Sequence, residues 1–315
     1  FTMTDHVLTR VANGTGVITL DRPKALNSLS LAMVRRLTEI LLAWREDAGV
    51  DAVVLASSSE KALCAGGDIR FFHEAGHATP TGGSALLEDF FTEEYALNHL
   101  IHFYPKPYIA LMDGVVMGGG MGIAQGGPET GLRIVTERTK MAMPEVNIGL
   151  FPDVGGSHFL SNAPGQLGNY LGLTGLTIGA ADALYVGLAD VFVPSAQLAD
   201  LNALIDTTPG AQLAGAIRSR FVQGAGDSVL EAQRATIDRH FGAGSVSAIM
   251  ASLAGDDAPF AQKALSALRQ RSPLMMCVTH EMLVRGASMG VADCLRMERS
   301  LVRRNFEHGE VLEGV

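Results

Sequence analysis

Two carboxylic acids, Glu145 and Asp153, stand within residues 143–156, where Asn147 is the only other polar side chain. A proline precedes each acid, so the chain is stiffened and turned at both positions. An unpaired acid in an apolar site has a raised pKa, which suits proton transfer near neutral pH. The same stretch also fits a buried turn with one capping acid and one salt-bridged acid. These residues alone therefore leave catalysis and a structural role open.

Two glycine-rich turns, Gly66-Gly67-Asp68 and Gly118-Gly119-Gly120, precede the acids along the chain. Each follows a predicted strand and offers backbone N–H groups that no side chain obstructs, and the second lies where a helix begins. Two N–H groups that converge on one oxygen form an oxyanion hole, in which each donor contributes about 3–4 kcal/mol in acyl chemistry. Close packing of a helix on a strand also requires glycine, so that interpretation stays open for each turn taken alone.

Other chemical patterns fit the chain less well. No dinucleotide-binding fingerprint is present, because Ile123 stands where its third glycine would be, and no phosphate-binding loop occurs. Residues 286–290 match a nucleophile elbow, but no strand precedes them, so we predict a turn between helices. Cys64 lacks an evident histidine partner and is predicted to be a buried thiol. His99 and His102 share a helix face without further metal ligands, so no metal site is expected.

Strand and helix patterns alternate over the first two-thirds of the chain, with glycines at the strand-to-helix junctions. This alternation predicts an α/β fold with parallel strands, and helical patterns dominate beyond Leu198. We therefore predict a core over residues 1–197 and a helical region over 198–315, with a mobile loop at 77–84. The predicted strands are 7–10, 16–20, 52–56, 107–112, 132–136 and 140–143, and the predicted helices are 31–45, 86–103 and one from about 121.

Composition narrows the choice of partner and compartment. The chain has 315 residues, 47% of them hydrophobic, and a formal net charge of −9. Acidity disfavours nucleic acid and anionic membranes as partners, and no apolar run reaches the ~20 residues of a membrane helix. The first five residues are neither basic nor apolar, so we expect no signal or transit peptide. Three cysteines are expected to be free thiols in a reducing, cytoplasmic compartment.

Three motifs in register resemble those of the crotonase (enoyl-CoA hydratase/isomerase) superfamily. They are Leu63-Cys-Ala-Gly-Gly-Asp-Ile69, Asp113-Gly-Val-Val-Met-Gly-Gly-Gly120 and Met143-Pro-Glu145, and the resemblance covers roughly residues 7–194. It implies a crotonase-like spiral of ββα units with a C-terminal α-helical subdomain, and binding of acyl-CoA thioesters. It also implies that Gly67 and Gly119 supply the oxyanion-hole N–H groups.

The same resemblance implies further partners and binding residues. Coenzyme A is then part of the substrate, and no separate cofactor is needed. Members of the superfamily commonly assemble as trimers, so the resemblance is compatible with a homo-oligomer but leaves the oligomeric state open. Six residues would line the path of CoA: Lys24, Ala25, Leu26, Ala65, Asp68 and Ile69.

The acids distinguish branches of the superfamily. Hydratases resemble one another in a glutamate two residues after the triple glycine, where this chain has Gly122; the second hydratase glutamate matches Glu145. This chain carries Asp153 instead, in a pattern that resembles the 3-hydroxyisobutyryl-CoA hydrolase branch, together with residues 90–95 and 104–108. The matching positions of that branch are Glu94, Gly119, Glu145 and Asp153. Periodicity does not settle whether Glu94 faces solvent or a site.

We therefore expect hydrolysis of a short-chain 3-hydroxyacyl-CoA thioester, 3-hydroxyisobutyryl-CoA, as in valine catabolism. Glu145 would activate water or attack the thioester, and Asp153 would orient water or substrate, or protonate the leaving thiolate. Glu94 would hydrogen-bond the 3-hydroxyl. Two alternatives remain: an enoyl-CoA hydratase or isomerase that uses Glu94 or Asp153 as a displaced second acid, and an acyl-CoA-binding protein without activity.

Overall fold

The computed structural model describes residues 6–78, 84–309, 311 and 314. Its strands form a six-stranded sheet in the order β1-β2-β3-β5-β7-β9 and a three-stranded sheet in the order β4-β6-β8. The first pair is antiparallel and every other pair is parallel. The strands are β1 Val7–Ala12, β2 Thr15–Leu20, β3 Ala52–Ser57, β4 Ala62–Cys64, β5 Tyr108–Met112, β6 Val115–Met117, β7 Gly131–Val135, β8 Lys140–Ala142 and β9 Val191–Phe192.

Helices surround these sheets and make up most of the second half of the described chain. They are α1 Leu31–Glu46, α2 Ile69–Ala78, α3 Ala85–His102, α4 Gly119–Ala124, α5 Gly156–Phe159, α6 Leu167–Thr174, α7 Ala180–Tyr185, α8 Leu198–Thr207, α9 Gly210–Arg220, α10 Val229–Ala232, α11 Arg234–Phe241, α12 Val246–Ala254, α13 Pro259–Leu268, α14 Pro273–Gly286 and α15 Val291–His308. None of the helices in the described residues is long and apolar enough to cross a membrane.

The chain repeats a ββα unit three times. A strand of the larger sheet is followed each time by a short strand of the smaller sheet, giving the pairs β3–β4, β5–β6 and β7–β8, with helices between the units. This arrangement confirms the predicted α/β spiral. Because β4, β6 and β8 are parallel neighbours, their carboxyl ends meet at one edge of the smaller sheet.

Local sequence explains where the two long helices of the core begin. Ser30 caps α1 by accepting a hydrogen bond from Met33 N at 3.3 Å. Ser84 caps α3 in the same way, accepting from Leu87 N at 3.4 Å. Each cap satisfies an N–H group of the first turn and thereby sets the residue at which the helix begins.

The larger sheet is buried on both faces, as parallel sheets with helices on either side usually are. On one face Ile18 and Leu55 belong to the large core that also includes α1 and α3. On the other face Val17 and Val54 pack with Leu213 of α9 in a smaller core. The larger core also takes in side chains of α11–α15, so the helical region packs on the α/β core across the predicted boundary at residue 197.

The structure adds elements that the sequence pattern did not predict. Strands β4 and β6 have three residues each, too few for an alternating pattern, and neither was predicted as a strand. Helix α2 covers residues that had no assignment, and it takes in the first two positions of the predicted loop at 77–84. The middle of that loop, 79–83, lies outside the described residues. Helices α5–α7 already appear before residue 198.

Candidate active site

Three neighbouring strand ends each deliver one part of the site. Gly67 follows β4, Gly119 follows β6 and Glu145 follows β8. A Cβ placed on Gly119 would lie 3.3 Å from Gly67 N, so the two turns are in contact. No described residue accepts a hydrogen bond from the N–H of either glycine. The two N–H groups are therefore free to bind one substrate oxygen, as an oxyanion hole requires.

Glu94 lies beside this pair of glycines on helix α3. It belongs to the buried face of the helix with Phe91 and Ile101 and is only 2% exposed, which resolves the question that periodicity left open. A Cβ on Gly119 would lie 2.5 Å from Glu94 Oε1, so a larger residue there would displace the Glu94 carboxyl group. Burial, followed by repulsion from Asp153, raises the pKa of Glu94 well above its usual value.

Glu145 begins a short 3-10 turn, Glu145–Ile148, and its carboxyl points back toward Gly118. A Cβ on Gly118 would lie 2.7 Å from Glu145 Oε1. The other carboxyl oxygen, Oε2, is buried and has no partner among the described residues. Burial, followed by repulsion from Asp153, raises the pKa of Glu145 well above its usual value.

Asp153 accepts a hydrogen bond of 2.6 Å from the Tyr95 hydroxyl on α3. Burial raises the pKa of Asp153 to about 6, and the bond from Tyr95 partly offsets this rise. The next residue, Val154, has a φ of +52°, a strained conformation for a β-branched side chain. Such strain persists only where surrounding contacts hold the backbone in place.

Glu298 on α15 provides those contacts. It is fully buried and accepts hydrogen bonds from Gly155 N at 2.8 Å, from Ser157 N at 2.9 Å and from the Ser157 hydroxyl. Burial raises the pKa of Glu298 to about 8. No catalytic motif predicts this residue, but the helical period does, because Glu298 falls on the buried face of α15 between Leu295 and Val302.

Glu94, Glu145, Asp153 and Glu298 are all buried, and no described lysine or arginine pairs with any of them. Since charged neighbours in a dry site repel one another, ionising several together is costly. Asp153 has the smallest rise and holds its charge most readily near neutral pH. The site thus combines an ionised carboxylate with protonated carboxyl groups, the arrangement that acid–base catalysis uses.

Three of these acids, Glu94, Glu145 and Asp153, line one cavity of about 230 Å³, whereas Glu298 does not. Its lining contains the predicted residues Gly67, Gly119, Glu94, Glu145 and Asp153. The remaining walls are mostly apolar; they comprise Ala65, Gly66, Ile69, Phe72, Phe91, Gly118, Pro144, Asn147, Ile148, Leu150 and Val154.

The six residues predicted to line the path of CoA divide into two groups. Ala65 and Ile69 line the cavity. The other four do not. Asp68 accepts a hydrogen bond from Arg22 at 2.8 Å, Leu26 O accepts one from Ala65 N, and Lys24 is exposed beside Ala25. Asp68 lies between the cavity-lining residues Gly67 and Ile69, and Leu26 is bonded to the cavity-lining Ala65. Contact of all four residues with CoA stays a prediction.

Comparisons with known proteins agree with this geometry. A family model described as enoyl-CoA hydratase/isomerase matches residues 15–315. The chain belongs to the enoyl-CoA hydratase/isomerase family. A mitochondrial 3-hydroxyisobutyryl-CoA hydrolase of Danio rerio is 41% identical over 98% of this chain and 81% of its own length.

Two solved structures of the family are similar over 98% of this chain and 88% of theirs. One is a carnitinyl-CoA dehydratase from Mycobacterium thermoresistibile, with 39% identity and a TM-score of 0.92. The other is an enoyl-CoA hydratase from Rhodobacter sphaeroides, with 41% identity and a TM-score of 0.89.

Gly122 marks the point at which this family member departs from the hydratase pattern. A Cβ there would lie 2.6 Å from Val154 Cβ and 2.8 Å from Asn98 Nδ2. The space that a glutamate side chain would need is therefore already filled. The second acid of a hydratase cannot be accommodated at this position in this backbone.

The structure also shows where the cysteines, the segment 286–290 and His99 lie. Cys64 is buried beneath the first glycine turn, where burial raises the pKa of its thiol to about 12. All three cysteines are free thiols. Residues 286–290 connect α14 to α15, as predicted. His99 is exposed, and no group of three or more potential ligands in the described residues could hold a metal ion.

Proposed function

We propose that this chain hydrolyses 3-hydroxyisobutyryl-CoA to the free acid and coenzyme A. The observation that carries the proposal is the pairing of an oxyanion hole with Glu145 and Asp153, while the hydratase position at Gly122 is filled by its neighbours. The names of the curated relatives support the same chemistry, since the Danio rerio protein is a 3-hydroxyisobutyryl-CoA hydrolase.

The thioester oxygen binds the N–H groups of Gly67 and Gly119, which stabilise the negative charge that develops as the carbonyl carbon is attacked. Glu145 passes its proton to the ionised Asp153 and then either removes a proton from the attacking water or attacks the carbon itself. The C–S bond breaks as the C–O bond forms. Asp153 returns its proton to the departing thiolate. Where Glu145 is the attacking group, water then hydrolyses the mixed anhydride, which releases the acid and regenerates Glu145.

Glu94 provides the group that recognises the substrate hydroxyl. Its Oε1 atom is buried beside Gly119 and has no partner among the described residues. A 3-hydroxyl group would give this oxygen a hydrogen bond. A substrate without the hydroxyl would leave it unpaired, so isobutyryl-CoA should be hydrolysed much more slowly.

Thiol release from 3-hydroxyisobutyryl-CoA tests the proposal, with loss of enoyl absorbance from crotonyl-CoA measured in parallel. We expect thiol release from the wild type, and a fall in kcat of about 10²–10⁴-fold for Glu145→Gln, because general acid–base groups contribute that much. An enzyme-only blank subtracts the protein's own cysteines. Near-normal hydrolysis by Glu145→Gln would refute the assigned role.

Hydration of an enoyl-CoA is the second candidate, because the two similar solved structures carry the names of a dehydratase and a hydratase. It would require Glu94 or Asp153 to replace the missing second acid. Loss of enoyl absorbance without thiol release would favour it. Turnover of neither substrate, together with tight binding of the ester, would indicate a binding protein.

The compartment and the oligomeric state stay predictions. The Danio rerio relative is named as mitochondrial, whereas the cysteines of this chain suggested the cytoplasm. Fractionation of the source cells and the mass of the purified protein in solution would decide the two questions separately.

A further inference from the structure

A second cavity, of about 610 Å³, lies behind the acids. We call it the rear chamber. Val154 lines both the rear chamber and the active-site cavity, so the two spaces are separated there by one residue. The chamber lining is polar as well as apolar, and it includes His102, His158 and Asn162.

Val154 is packed against two further residues of the rear chamber. The place of a Cβ on Gly122 lies 2.6 Å from Val154 Cβ and 2.8 Å from Asn98 Nδ2. These three residues all line the rear chamber, and Val154 also lines the active-site cavity. We call Asn98, Gly122 and Val154 the partition.

Asn98 is the polar member of the partition. It follows Glu94 by four residues on α3, so the two side chains lie on the same face of the helix, one toward each cavity. Asn98 is 4% exposed, and neither its Nδ2 nor its Oδ1 has a hydrogen-bond partner among the described residues. Buried amide atoms are nearly always satisfied, and in a polar cavity of this size water is the partner that fits.

We propose that the rear chamber holds the water that hydrolysis consumes, and that the Asn98 amide binds this water and passes it through the partition to the acids. The inference rests on the proposed hydrolase function. The mostly apolar walls of the active-site cavity offer water few hydrogen-bond partners on the front side. Water that enters beside Val154 arrives next to Asp153, which the mechanism pairs with Glu145.

Two substitutions at Asn98 test this role against a structural one. Asn98→Leu keeps the branched shape and the number of heavy atoms, is somewhat larger and removes both polar atoms, so it should block the passage of water. Asn98→Ala removes the amide but leaves space that water can occupy. We expect kcat to fall at least tenfold for Asn98→Leu and less for Asn98→Ala, with KM within twofold in both. Asn162→Leu, at the exposed side of the chamber, is the matched control and should stay within twofold of wild type.

Melting temperatures distinguish the two roles, because a purely structural role for Asn98 would reverse the order of Tm expected for its two variants. Leucine fills the site and leaves no buried polar atom unpaired, so Asn98→Leu should melt at or above the wild-type Tm, and Asn98→Ala below it. A wild type that releases no thiol from 3-hydroxyisobutyryl-CoA would overturn the proposed function and this inference with it. A hydrolytic wild type with an equally active Asn98→Leu variant would overturn the inference alone.

Discussion

Gly122 lies inside α4 with Val154 and the Asn98 amide packed over the place where a side chain would begin. We expect Gly122→Ala to lower the free energy of unfolding by about 1–3 kcal/mol, the usual cost of overpacking a core. Gly215→Ala in α9 is the control. Nothing lies within 4 Å of its Cβ position, so the same change should stabilise that helix by about 0.5–1 kcal/mol. Urea unfolding measures both, and equal effects would contradict the packing argument.

Tyr95 sets the charge of its neighbour Asp153. Its hydroxyl donates to Asp153 Oδ2 and holds the pKa of that acid lower than burial alone would. The acid limb of the kcat profile should therefore lie near pH 6, with activity lost as the pH falls and Asp153 becomes protonated. In Tyr95→Phe the limb should move upward by about one unit, since hydrogen bonds to charged groups contribute about 1.5–3 kcal/mol. An unmoved limb would show that Asp153 does not control it.

Part of the site can be predicted from the residue types in the sequence. Glu145, Asp153, Gly67 and Gly119 stand in motifs whose composition already indicates acid–base and oxyanion chemistry. Tyr95 and Asn98 carry no such signal, because their roles depend on which face of α3 turns inward. That rotation follows from packing of the whole helix, which the pattern of a single segment does not determine.

Helix α15 holds the turn after Asp153 through Glu298. Glu298 satisfies Gly155 N and both donors of Ser157, and so holds the strained turn at Val154 that carries Asp153. Glu298→Ala should lower the unfolding free energy by about 1–3 kcal/mol, because it leaves buried donors unpaired. It should also lower kcat more than it raises KM, since Asp153 loses its position.

Ser157→Ala is the graded control for this element, since it removes one of the three donors and leaves the two backbone bonds in place. Its effects on kcat and on unfolding should be smaller than those of Glu298→Ala. Thiol-release kinetics and urea unfolding supply both values. A Glu298→Ala variant that loses stability but keeps its kcat would limit the residue to a structural role.

Long elements were predictable because they show a clear period. The helices α1 and α3 and the strands β1, β2, β3, β5 and β7 have enough residues for this, whereas β9, with two residues, was not predicted. The strands β4, β6 and β8 have three residues each; β8 was predicted as 140–143, β4 and β6 were not, and the ends of all three form the site. Their pairing comes from contacts between distant units, so the position of the site was reached through the motifs that follow them.

Across the whole molecule, four buried acids without cationic partners among the described residues give the fold a distinct response to pH. Above pH 6.5 the folded protein keeps protons on Glu94, Glu145 and Glu298 that the unfolded chain has released. Stability is therefore greatest at lower pH and falls as pH rises toward the folded pKa values, by about 1 kcal/mol per pH unit for each acid.

Thermal unfolding between pH 6.5 and 8 measures this slope, and we expect Tm to fall steadily across the range. Glu298→Gln cannot titrate, so its Tm should fall less steeply than that of the wild type. Glu93, on the exposed side of α3, is the control position: its pKa is lowered, so Glu93→Gln should leave the slope unchanged. A Tm that rises with pH would mean that the buried acids are ionised in the folded state.

Glu298 contacts the turn after Asp153 although the two are far apart along the chain: it lies 143 positions after Gly155 and 141 positions after Ser157. A ribosome makes the turn long before it makes α15. A nascent chain can therefore form the sheet and the glycine turns, and position Glu145, while the turn at Val154 still lacks the Glu298 side chain that holds it. We expect hydrolytic competence to appear late in synthesis, which thiol release by ribosome-bound chains arrested before and after α15 would reveal. Partly made chains would then bind thioesters without consuming them.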